Sequence, residues 1–117
     1  MITISLDEAY IFDLLAILEL KKNRSTEKIH IENYNAAHKE IQDQIGKKKL
    51  ITITESKEYI NLIAINNEIF DLVNLCQQAE GLAALTAETN NTRFVLKNNL
   101  QNKFFKNSLQ ETKIDHD

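Results

Sequence analysis

Proline is absent from this chain, and glycine occurs only at Gly46 and Gly81. These are the residue types that most reliably interrupt helices. With so little punctuation, the apolar periodicity is free to build long helices, and it predicts four, over roughly residues 6–22, 26–45, 55–80 and 87–106. Gly46 and Gly81 fall just past the second and third of these, where a left-handed residue closes a helix best.

A phrase is also written twice. "MITISLDEAYI" opens the chain and "LITITESKEYI" begins at Leu50. In each copy an Ile-Thr-Ile run places its isoleucines on one face of an extended segment, and β-branched residues favour strands. A hydroxyl residue follows. Ser5 is a good N-cap, with Glu8 at the capping-box spacing. Thr54 occupies the same place in the second copy, where Lys57 leaves the box incomplete and Glu55 supplies first-turn negative charge. Each copy thus predicts a short strand turning into a helix. The expected fold is mainly α, a helical bundle of four helices with two short β-strands in the order β-α-α-β-α-α. It forms one domain over residues 1–106, followed by a mobile polar tail over 107–117. The strands would pair within the chain through a right-handed crossover, or across a dimer axis.

The first helix is apolar on nearly every side. Tyr10, Leu14, Ile17 and Leu18 make one face, and Ile11, Phe12 and Leu15 continue around it. Such a helix belongs at the centre of a bundle. The second carries a thinner line, Ile31, Tyr34, His38, Ile41 and Ile45, and the fourth has Leu96, Leu100 and Phe104. The third carries a regular seam of Leu62, Ile65, Ile69, Leu72, Cys76 and Ala79. At its predicted length it is a rod of about 38 Å. A small domain rarely covers so long an apolar face, so the seam predicts a homo-oligomer with Leu62, Ile65, Ile69, Leu72 and Cys76 at the interface.

Composition narrows the function. A net charge of −3 argues against a dedicated nucleic-acid or membrane-surface binder. Cys76 is the only cysteine, which excludes an internal disulfide and a cysteine-based zinc site and fits a reducing compartment. The chain opens without the basic stretch and apolar run of a secretory signal, and Asp13 and Glu19 interrupt its most apolar segment. The expectation is a cytoplasmic protein with no membrane partner. Two isolated glycines leave no phosphate-binding loop, and no Gly-x-Ser-x-Gly elbow exists. No catalytic residue, metal or cofactor is predicted. Abundant Asn, Lys and Ile, all with A/T-rich codons, hint at a phage or bacterial accessory protein.

Three groups carry candidate chemistry. Asp13 lies among Leu6, Ile17 and Leu20 on the helical wheel, and a carboxylate there needs a partner or a raised pKa. A structural ion pair, a capped helix end or an edge position exposed to water is the expected answer; a polar site of Asp13 with Tyr10 and His38 is the alternative. His38 lacks a second ligand one turn away, as a metal site would require. Arg93, Lys97, Lys103 and Lys106 run with Phe104 along a stretch, Thr89 to Gln110, free of acidic residues, a pattern that suits phosphate contact with base stacking. Lysine and arginine stems covering apolar surface give the same pattern. The reading is a non-enzymatic, oligomeric interaction or assembly protein. The alternative is a nucleic-acid-associated factor using the fourth helix.

Overall fold

The computed structural model describes residues 2, 5–76 and 83–105. Among them are five helices and no strand: α1 (Glu8–Arg24), α2 (Lys28–Ile45), α3 (Lys47–Thr54), α4 (Lys57–Cys76) and α5 (Ala83–Phe104). The predicted β-α-α-β-α-α order is overturned. Ile51, Thr52 and Ile53 form the middle of α3. The reason is the spacing of what must be buried. Leu50 and Ile53 are both inaccessible. Three residues apart, they share one face of a helix but would take opposite faces of a strand. Burial overrides β-propensity, and the threonines adapt. Thr52 Oγ1 donates to the Lys48 carbonyl and Thr54 Oγ1 to the Leu50 carbonyl, each at 2.9 Å, the local back-bond that a helical threonine makes. In the first copy, residues 2 and 5–7 hold no regular structure, and Thr3 and Ile4 lie outside the described residues.

The second half of the phrase does start a helix both times, with Lys57 standing in the register of Glu8. The caps differ from expectation. Glu8 is the first residue of α1, so the Ser5–Glu8 capping box is not made; Asp7 holds the N-cap position without a side-chain capping hydrogen bond. Ser56, not Thr54, caps α4, its Oγ accepting the Tyr59 N–H at 3.2 Å. Gly46 closes α2 at φ 91°, and its N–H donates to the Gln42 carbonyl at 2.9 Å. Gly81, Ala79, Lys106, His116 and the 107–117 tail lie outside the described residues.

α1 packs against α2, α4 and α5, and α4 runs along α5. Phe12, Leu15, Leu50, Ile53, Tyr59, Leu62 and Leu100 are the most completely buried large apolar side chains. The Phe12 ring meets Tyr59 edge-on at 6.4 Å between centroids and Phe105 at 6.1 Å. The seam of α4 turns inward. Leu62 is fully buried, Ile65 and Leu72 are 8% exposed, and Ile69 packs partly buried against the same core. α5, at 22 residues, is about 33 Å long and packs along α4. Leu62, Ile65 and Leu72, three of the residues expected at an oligomer interface, are buried within the chain. Cys76 is the last residue of α4. No described helix is long and apolar enough to cross a membrane.

Candidate functional site

The polar groups buried at the centre are tied to one another. Asp13 is 4% exposed. Arg93 on α5 grips its carboxylate, Nε donating to Oδ2 at 3.0 Å and Nη2 to the same oxygen. Asn66 Nδ2 on α4 donates to Asp13 Oδ1 at 2.8 Å and to the Leu62 carbonyl at 3.0 Å. Three helices therefore meet at one carboxylate, which is held by charge-assisted hydrogen bonds. This is the structural ion pair expected for Asp13. Tyr10 has the Lys97 ammonium 4.2 Å above its ring, and His38 lies against Tyr34, with ring centroids 5.7 Å apart.

Two further cross-links were not foreseen. Gln101, 2% exposed, accepts the Ala9 N–H at 2.8 Å and donates to Glu8 Oε1 at 3.0 Å. It satisfies an orphan donor of α1 in place of the missing local cap. Glu19 Oε1 accepts from both Tyr34 (3.2 Å) and Tyr59 (3.3 Å). Burial first, then the Glu19 charge, pushes the Tyr34 phenol up to about 12 and raises Tyr59 as well. Asn66 was legible in principle, as a polar residue one turn after Leu62 on the inward face; nothing local marked Gln101 or Glu19.

Of the residues offered for nucleic acid, Arg93, Lys97, Lys103 and Phe104 have partners within the chain, and Lys106 lies outside the described residues. Arg93 holds Asp13, and Lys97 is 8% exposed over Tyr10. Lys103 pairs with Glu58 at 2.8 Å and holds that carboxyl below its usual range. Phe104 is partly buried against the core. The stems of this helix cover apolar surface.

One face remains open. α1 and α2 run antiparallel, and a groove of about 220 Å³ lies between them. Its floor is Phe12, Leu15, Ala37, Ile41 and Ile45, and its outer edge is Ile11 and Leu14. Ile11 is 37% exposed and Leu14 51%. The polar groups at the rim are Glu8, Glu40 and Gln44. The helix predicted to be covered on all sides is thus covered by α2, α4 and α5, with one stripe bare.

A second hollow, of about 290 Å³, lies among Lys21, Arg24, Ser25, His30 and Phe70. Its arginine is bound to Asp71 at 2.8 Å and Asn67 at 3.0 Å, and His30 stands 3.5 Å from Glu27. Among the described residues, no three His, Cys, Asp or Glu side chains are grouped to hold a metal ion. No family model matches the chain, and no curated protein or solved structure matches it.

Proposed function

We propose that this is a small non-enzymatic interaction protein of the cytoplasm, which assembles by packing a helix of another protein molecule into the α1–α2 groove. One observation carries the reading. Leu14 is half exposed on α1, directly beside a groove floored by Ile41 and Ile45. A continuous apolar furrow with a polar rim is the usual receptor for an amphipathic helix. The buried charge supports it, because Asp13 is neutralised within the chain by Arg93.

The test is a titration followed by NMR. A designed leucine–lysine amphipathic helix, whose cations suit the Glu8 and Glu40 rim, is added to the full chain. The expected shifts concentrate at Ile11, Leu14, Ala37, Ile41 and Ile45. Absence of shifts there at millimolar peptide contradicts the reading.

A further inference from the structure

We infer that the second hollow, of about 290 Å³ among Lys21, Arg24, Ser25, His30 and Phe70, binds a small phosphate monoester that carries a flat apolar ring. The site is independent of the α1–α2 groove, with which it shares no lining residue. It is carried by a surplus of hydrogen-bond donors around one cavity. Lys21 and Arg24 stand one turn apart on α1, Ser25 follows in the turn, His30 belongs to α2 and Phe70 to α4. Among the described residues, no carboxylate lines the hollow. The half-buried Lys21 ammonium has no acceptor among them. Ser25 Oγ accepts the Glu27 N–H at 3.1 Å, which leaves its own proton to donate.

Arg24 uses one N–H on Asn67 and one on Asp71. A guanidinium has five, so those two bonds fix the fork and leave donors over. Asp71 and Glu27, which pair with Arg24 and His30, are 54% and 73% exposed. Pairs so open to water are weak ties, and a more highly charged anion competes with them. An ammonium, a guanidinium fork and a hydroxyl together suit the three oxygens and double charge of a phosphate monoester better than a carboxylate. The apolar wall sets the rest of the ligand. Phe70 is 38% exposed, with the Arg24 guanidinium 5.2 Å over its ring, so an aromatic body attached to the phosphate has a surface to pack on. The volume is at the lower edge of small-molecule sites, which run from about 300 Å³. The net charge of −3 gives no field for a polyanion, so one phosphate, not a strand, fits.

The test is an NMR titration of the full chain at physiological ionic strength, with phenyl phosphate as the probe. Saturable shifts are expected at Lys21, Arg24, Ser25, His30 and Phe70. Inorganic phosphate and benzoate are each expected to bind about tenfold more weakly, and neutral benzyl alcohol not at all. Lys21→Gln is expected to weaken phenyl phosphate about tenfold. Asp71→Asn, which releases Arg24 from its competing carboxylate, is expected to tighten it about threefold, a gain that a poorly folded variant does not give. Helical content of both variants is expected unchanged by circular dichroism. Shifts that fail to saturate or that spread over the other lysines overturn the inference, as does binding indifferent to Lys21→Gln or matched by benzyl alcohol. Benzoate binding as tightly as phenyl phosphate overturns the assignment to phosphate, and inorganic phosphate binding as tightly overturns the ring.

Discussion

Asp13 shows how one buried charge can organise a small fold. The net gain from burying an ion pair is small, but stranding one member is costly, about 3–5 kcal/mol. Asp13→Ala leaves Arg93 without its carboxylate and Asn66 Nδ2 with the Leu62 carbonyl alone. A loss of that size is expected, read as a lower urea midpoint. Replacing Asp13 and Arg93 together by apolar residues should cost far less than either single change. Gln101→Ala strips Ala9 of its acceptor, and an unsatisfied buried amide costs about 1–3 kcal/mol. The tyrosines give a pH signature. Tyr34 ionises near 10 in an unfolded chain but is pushed up to about 12 in the fold, by burial and then by Glu19. The native state therefore holds a proton that the unfolded state releases. This stabilisation is complete below pH 10 and is lost as pH rises toward 12. Tyrosinate absorbance should show Tyr34 titrating near 12, with Tyr59 held back as well. An ordinary titration near 10 for both would contradict the Glu19 arrangement.

At the scale of elements, α3 decides between local preference and burial. Leu50→Ala and Ile53→Ala should each cost about 2–5 kcal/mol, as large-to-small changes at inaccessible sites do. Ile51 is 42% exposed, and Ile51→Ala should be neutral or slightly stabilising, since alanine is the better helix former. A strand would reverse that outcome. Circular dichroism and urea melts of the three variants settle the matter. Gly46→Ala meets no atom within 4 Å but inherits a φ of 91°, so its cost, about 1 kcal/mol, is one of backbone conformation alone. The legibility of the chain follows the range of the interactions. α2 was readable because its apolar line is local and Gly46 ends it. The helix starts at Glu8 and Lys57 were readable to within two residues from the repeated phrase. The Ile-Thr-Ile segment was not, because β-branched residues favour strands locally, and only the shared burial of Leu50 and Ile53 tips them into a helix. The partners of Asp13 were beyond reach as well. Asn66 lies 53 residues away and Arg93 80 residues away.

At the scale of the whole molecule, the two apolar helices exchange roles. The α4 seam, which as an isolated rod asks for a second copy, is closed by α1 and α5 within the chain. α1, which asks to be central, is central but left bare along Ile11 and Leu14. Exposed apolar side chains sit at the edge of the α1–α2 groove, Ile11 and Leu14, and also on the other helices, as at Ile29, Ile51, Ile60 and Val95. This exchange is the central claim. Its most direct test is methyl NMR of the full chain with a soluble paramagnetic agent, recorded from dilute to concentrated samples. The account predicts strong broadening of Ile11 and Leu14 methyls in dilute solution and protection of Leu62, Ile65 and Leu72 throughout. Leu62 and Leu72 broadened while Leu14 stays protected in dilute solution would contradict it.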